Sequence, residues 1–348
     1  MPTKAAAQPA APEGRATIAD VAREAGVSKA TVSRFFNHRE TLLTPEIAGR
    51  VEAAIAALGY SPNPMARALK RGRSRLIGLV VADISNPFSV AVLRGAEKAC
   101  QEAGYLVMLF NLGNASERER EGIEALASYQ VEGFILNTLG GDPHAAGEVA
   151  RHGKPAVLVD RKHPEMHADF VSLDNADAVR KAVGHLLDNG WRELLYVTEP
   201  VAGVSSRIER EAAFRAAVAM QGKGTGGQVV EPGDDAALLQ TLRELKRRAG
   251  RRPAAVLAGN AVVTLRVATA VAQLGWRFGT DLGFIGFDET EWAPLVGSGL
   301  STIAQPTDDI GRVAASCLIE RLQGRALPPR QILLAGTLVA RPSSQRAG

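Results

Sequence analysis

The chain carries only two cysteines in 348 residues, Cys100 and Cys317, both in apolar surroundings, AEKAC and ASCLIE. They lack metal-ligand spacing, so no metal is expected, and buried free thiols suited to a reducing cytoplasm are predicted. No apolar run approaches the roughly 18 residues of a membrane span, and residues 1–16 are Ala, Pro and charge without a hydrophobic signal core. These absences predict a protein neither exported nor membrane-bound, with a disordered tail over residues 1–16. Also missing are a G-x-G-x-x-G after a strand, a P-loop, a G-x-S-x-G elbow and a ligand-spaced His/Cys cluster, and the six histidines are scattered. An enzyme is therefore not expected, nor a cofactor.

One sign of charge is scarce in one region. Residues 1–75 hold 12 Lys/Arg against 6 Asp/Glu, leaving 29 against 31 in the remaining chain. A basic N-terminal segment ahead of a nearly neutral body is the electrostatic footprint of nucleic-acid binding, because Lys and Arg supply phosphate contacts. With 46% hydrophobic and 22% charged residues, and this length, the chain should fold as a small domain plus a large one.

Local signals then divide the chain. Thr17 can cap a first helix, with Asp20 completing a capping-box-like pair and Gly26 ending it. Ser28 is a natural cap for a second helix running to about Asn37, and Thr44-Pro45 opens a third that ends at Gly59. Residues 17–60 thus read as a helix-turn-helix unit closed by a third helix. Within GVSKATVSRFFN, Lys29, Ala30 and Arg34 take the positions that face base edges, and Ser28, Thr31 and Ser33 can meet phosphates; Thr17 and Asn37 complete the set on these helices. Residues 61–75, including SPNPMARALKRGRS, read as a hinge.

From Leu76 onward short apolar strands, LIGLVVA, YLVMLF, GFILNT, AVLVD, LLYVT, AAVLAG and LGFIGF, alternate with helical patterns. That alternation predicts an α/β core, 76–348, of two doubly wound parallel-sheet subdomains with a cleft between them. The expected subdomains are about 76–173 with 304–332, and about 174–303 with 333–342.

TIADVAREAGVSKATVSRFFN, then GYSPNPMARALKRGRS, then IGLVVADISNPF, in this order, resemble the LacI/GalR family of bacterial repressors over residues 17–341. The resemblance implies a homodimer on a palindromic double-stranded operator, with a tetramer left open, acting in the bacterial cytoplasm at the nucleoid. It implies a hinge helix in which Leu69 wedges into a minor-groove step, with Asn63, Ala66 and Lys70 beside it. The loop HRETLL is longer than in the lactose repressor, which bears on loop contacts only.

The resemblance extends to a periplasmic-binding-protein-like core that holds a small effector. Asn86 and Phe88 follow the first strand, Arg161 follows another in VDR, and Ser206, Arg207 and Arg210 precede a helix. Arg210 matches the arginine of the family's RxxGF pattern, with Ala213 in the glycine position. Asn260 should reach the cleft, with Ala261 where the family carries aspartate. Asp288 is the acceptor for sugar hydroxyls or else a cap for the following helix. Three cationic contacts against one carboxylate point to a sugar acid, with a neutral sugar or purine as the alternative; TEPVAGVSSRIERE resembles ketogluconate-type regulators. ETEWAP and TIAQPTDDIGRVAA resemble the region where the chain returns to the first subdomain and the subunit interface forms, with core packing as the other reading of Trp292. A transporter's solute-binding protein, which shares the core fold, would need a secretion signal and no DNA head.

Overall fold

A computed structural model describes residues 16–37, 43–61, 73–139 and 144–346. The tail, most of the HRETLL loop, and the hinge residues Asn63, Ala66, Leu69 and Lys70 lie outside the described residues. The chain forms two compact units, Met1–Ser74 and Arg75–Gly348.

The first unit holds α1 (Ile18–Glu24), α2 (Lys29–Asn37) and α3 (Pro45–Leu58). Each helix starts where a short polar side chain can satisfy an otherwise unpaired N–H. Thr17 Oγ1 accepts from Asp20 N and the Asp20 carboxylate accepts from Thr17 N, closing a capping box. Ser28 Oγ accepts from Thr31 N at 3.1 Å, and Thr44 Oγ1 from Ile47 N at 3.4 Å. Val21, Val32, Phe35 and Val51 interlock as the core of the unit.

The second unit contains two six-stranded sheets. In chain order the elements are β1 (Leu76–Val81), α4 (Pro87–Glu102), β2 (Leu106–Asn111), α5 (Arg118–Ser128), β3 (Gly133–Leu136), α6 (Ala145–Arg151), β4 (Ala156–Val159), β5 (Asp169–Leu173) and α7 (Asn175–Asp188). There follow β6 (Glu193–Val197), α8 (Ser205–Ala219), β7 (Gly226–Val230), α9 (Asp235–Ala249), β8 (Ala254–Ala258), α10 (Ala261–Gln273), β9 (Gly283–Phe287) and β10 (Ser301–Ala304). The chain ends with α11 (Thr307–Leu322), β11 (Gln331–Leu334) and β12 (Thr337–Val339).

The first sheet runs β11-β5-β4-β3-β1-β2, all parallel; the second runs β12-β10-β9-β8-β6-β7, parallel except for β12. The antiparallel β12 departs from a purely parallel expectation. The chain therefore passes between the sheets after β5, after β10 and between β11 and β12.

Period-2 alternation explains why both faces of each sheet are covered. In β1, Ile77, Leu79 and Val81 enter one cluster and Val80 another. In β8, Ala254, Val256 and Ala258 face one cluster while Ala255 and Leu257 face the opposite one. Helices α4 and α11 meet at glycines: a Cβ at Gly95 would stand 2.0 Å from Asp308 O, and one at Gly311 would stand 2.1 Å from Val92 O. Cys100 and Cys317 are buried and free. Trp292 is half-buried against the core cluster that contains Leu282 and Phe284.

Candidate functional site

Parallel strands place their carboxyl ends, and the loops that follow, along one side of each sheet. In the second unit these loops enclose a cavity of about 140 Å³. Asn86, Phe88, Arg161, Ser206, Arg207, Arg210, Asn260 and Asp288 all line it. A larger depression of about 670 Å³ lies between the end of α10 and the C-terminal tail, lined by Trp276, Phe278 and Pro342 and none of those eight residues.

Several of these side chains already serve the fold. Asn86 and Asn260 are N-caps: Asn86 Oδ1 accepts from Phe88 N at 3.0 Å, and Asn260 Oδ1 from Val263 N at 2.9 Å. Phe88 lines the cavity and also packs into the cluster under β1. Asp288 caps α10, which precedes it in the chain, rather than a helix that follows; its Oδ2 accepts from Ala261 N at 2.9 Å. The same carboxylate accepts from Gln305 Nε2 at 2.6 Å. Burial pushes the Asp288 carboxyl above the ordinary carboxylate range, against the pull of Arg210 and these two donors.

Arg210 is the most heavily bonded of the three cavity arginines. Its Nε donates to Asn175 Oδ1 at 2.8 Å, Nη1 to Gly259 O at 2.7 Å and Nη2 to Gln305 Oε1 at 3.4 Å, while its guanidinium carbon sits 4.3 Å from the centroid of the Phe287 ring. Asn175 and Gln305 belong to two of the passages between the sheets, so Arg210 ties both to the loop after β8. Arg207 donates to Pro200 O and to Glu199 Oε2, and burial lowers its pKa while Glu199 opposes that shift.

Arg161 is different. It is 8% exposed and lies 3.4 Å from Asp160 Oδ2 through Nε, yet Nε and Nη1 have no hydrogen-bond partner among the described residues. A buried guanidinium with unused donors is able to take acceptor oxygens.

The balance of charge around the cavity differs from the sequence expectation of three cations against one carboxylate. Asp83, Asp160 and Glu199 join Asp288 there, so four carboxylates face three arginines. Their acceptor atoms are largely occupied by protein donors. Asp83 accepts from Ser85 and Asn114, Asp160 from Ser206, and Glu199 from Arg207 and Asn260. The charge count fails because it omitted acids on the same loops, one of them Asp160, the immediate neighbour of Arg161.

In the first unit, Lys29, Ala30 and Arg34 are exposed on α2, Thr31 and Ser33 are half-buried, and Val32 and Phe35 point into the core. Thr17 and Ser28 are exposed caps, and Asn37 is the last residue of α2. The turn between α1 and α2 is held by a residue the sequence reading omitted. Arg50 of α3 donates from Nε to Ala25 O at 3.0 Å and from Nη2 to Ala25 O at 2.5 Å and Gly26 O at 2.9 Å. Gly26 has φ 63°, which favours glycine, and a Cβ there would lie 2.7 Å from Arg50 Nη2 and press on the guanidinium that holds the turn.

Residues 17–63 match the model for bacterial regulatory proteins of the lacI family, and residues 183–344 match that for a periplasmic binding protein-like domain. The HTH-type transcriptional regulator PtxS of Pseudomonas plecoglossicida is 47% identical over 337 residues, spanning 95% of this chain and 96% of that protein. The chain belongs to the lacI family. It is therefore a DNA-binding transcriptional regulator. The Ribose operon repressor of Escherichia coli is 30% identical over 94% of this chain and 100% of its own length. The crystal structure of the lac repressor dimer bound to operator and the anti-inducer ONPF is similar with a TM-score of 0.82 and 25% identity, covering 95% of this chain and 99% of that one.

The two departures from the family pattern have defined places in the fold. Ala261 opens α10, where its N–H is taken up by Asp288, and Ala213 is half-buried on α8 against the cluster containing Phe214 and Tyr196. Gln305 and Glu199 had no sequence signal beyond their place after a strand. Asp160 could have been found from the VDR triplet itself.

Proposed function

We propose that the chain acts as a homodimeric repressor on a palindromic operator in the bacterial cytoplasm, at the nucleoid, and that a sugar acid held in the core cleft switches it. Lys29, Ala30 and Arg34 would read base edges, with Thr17, Ser28, Thr31, Ser33 and Asn37 at the backbone and Asn63, Ala66, Leu69 and Lys70 in the minor groove. The lac repressor dimer with operator and anti-inducer supports the dimeric arrangement by likeness, and a tetramer remains compatible with it. The family's character as regulators supports a binding role rather than catalysis, and no cofactor or metal enters the reading.

One observation carries the choice of effector. Arg161 offers buried, unused donors, whereas the cavity's carboxylates are already engaged by protein N–H and O–H groups. A ligand carboxylate beside hydroxyls would use Arg161 in a way a neutral sugar cannot. Cleft closure around such a ligand would couple effector and operator affinities reciprocally.

The test is a thermal-shift screen of the purified protein against neutral sugars, sugar acids, sugar phosphates and purines. Stabilisation by a sugar acid that disappears in Arg161→Ala is the expected result. Stabilisation only by neutral sugars or purines, unchanged in Arg161→Ala, overturns the sugar-acid assignment and leaves the regulator intact.

A further inference from the structure

The second unit is nearly neutral in sum, but its charge is segregated. Between Arg243 and Arg252 six cations stand against one acid, Glu244. Three of the six have places in the fold. Arg248 and Arg252 clamp the buried Glu193 at 3.0 and 2.8 Å, and Lys246 donates to Asp281 O and lies over the Trp276 ring. Arg243, Arg247 and Arg251 are exposed and have no partner among the described residues. A helix C-terminus favours one or two cations through its dipole, yet three, Lys246, Arg247 and Arg248, occupy the last turn of α9.

Arg243 and Arg247 are one helical turn apart, about 6 Å along the axis, and Arg251 follows in the turn after Gly250. Guanidinium forks at this spacing suit a run of phosphates, which they can bind bidentately. We propose that the C-terminal end of α9 is a second polyanion surface, distinct from the helix-turn-helix unit, that takes the phosphate backbone of a separate DNA duplex. Nucleic acid is favoured over an acidic protein because the surface consists of arginines with no apolar residue exposed among them, and because a regulator bound to DNA meets neighbouring duplex at high local concentration. The surface carries no base-reading geometry, so its contacts are independent of sequence and sensitive to salt.

The experiment is a bridging assay with the full chain. A random-sequence duplex of about 40 base pairs is fixed to beads, the protein is bound, and a second, fluorescent random duplex is offered. The Arg243→Ala/Arg247→Ala/Arg251→Ala variant should lose at least about five-fold of the bridged duplex, while its binding to the bead-fixed duplex changes by less than about two-fold. The triple Lys variant, which keeps the charge, should recover most of the bridging and controls for folding. Bridging unaffected by the Ala variant overturns the proposal by assigning it to a tetramer's paired heads. Bridging that polyglutamate abolishes at concentrations where free random duplex does not also overturns it, in favour of an acidic protein partner.

Discussion

Asp160 and Asp288 immediately follow β4 and β9 with the same left-handed backbone, φ 62° and 74°, and face one cavity from the two sheets. For residues other than glycine this region costs on the order of 1 kcal/mol, although aspartate bears it better than most. Each is held by its surroundings, Asp160 by Arg161 and Ser206 and Asp288 by the Ala261 N–H and Gln305. Such strain is kept where the structure over-determines it, which here is the wall of the cleft.

Asp160 offers a direct check of that backbone. Both Asp160→Ala and Asp160→Gly delete the carboxylate, but only glycine accepts φ 62° without a Cβ clash. The glycine variant is expected to be more stable than the alanine variant by about 0.5–1 kcal/mol, the reverse of the order at an ordinary position. Urea unfolding of the two variants measures it, and equal or inverted midpoints would count against the left-handed turn.

Arg50 reaches the α1–α2 turn with three hydrogen bonds, all to the backbone of Ala25 and Gly26. Arg50→Ala should destabilise the helix-turn-helix unit by about 1–3 kcal/mol by leaving the Ala25 and Gly26 carbonyls without these donors. Affinity for DNA should fall while the ratio between specific and random duplex is retained. Loss of that ratio would mean that Arg50 itself reads DNA.

The helix-turn-helix was legible because its signals are local: Thr17, Ser28 and Thr44 each bond an N–H three residues onward. The cleft residues were legible because alternating strands and helices send every strand-end loop to one side. Five strands escaped notice for physical reasons. β5 opens on Asp169 and is interrupted by Ser172, both buried beside partners outside the strand, and β7 is a glycine-rich edge strand, GGQVV, in which Gln228 is exposed and Val229 and Val230 are half-buried. β10, β11 and β12, STIA, QILL and TLV, are three or four residues long and each opens on a polar residue, which leaves less of an apolar run than in β3 or β4. The carboxylates of the cleft were missed because a count of arginines by motif says nothing about which acids share their loops.

On α2, Lys29 and Arg34 stand exposed while Val32 and Phe35 are buried. Lys29→Ala and Arg34→Ala should each cost about 1–3 kcal/mol of operator affinity and relax base preference, if both reach base edges. Competition binding against a scrambled duplex reads both quantities. Full discrimination in both variants would remove α2 from base reading.

Asp169 shows how far apart in sequence the decisive partners can be. Its buried carboxylate binds Arg321 Nη2 at 2.9 Å and Arg330 Nη2 at 3.0 Å, and accepts from Arg330 N at 2.8 Å. Burial alone would raise its pKa, but these hydrogen bonds outweigh it and hold the carboxyl at about 2, below the ordinary 3.8. A carboxyl with a depressed folded pKa adds stability that is complete above the unfolded value and is lost as pH falls toward the folded one. Asp169→Asn should therefore cost about 3 kcal/mol at neutral pH, the lower end for a broken buried pair because both arginines keep contact with water. That difference from wild type should shrink as pH falls from 3.8 toward 2. Denaturant unfolding across this range decides it: a gap that stays constant would mean that the amide destabilises by packing alone, and that the charge at the junction of β5, α11 and β11 contributes nothing.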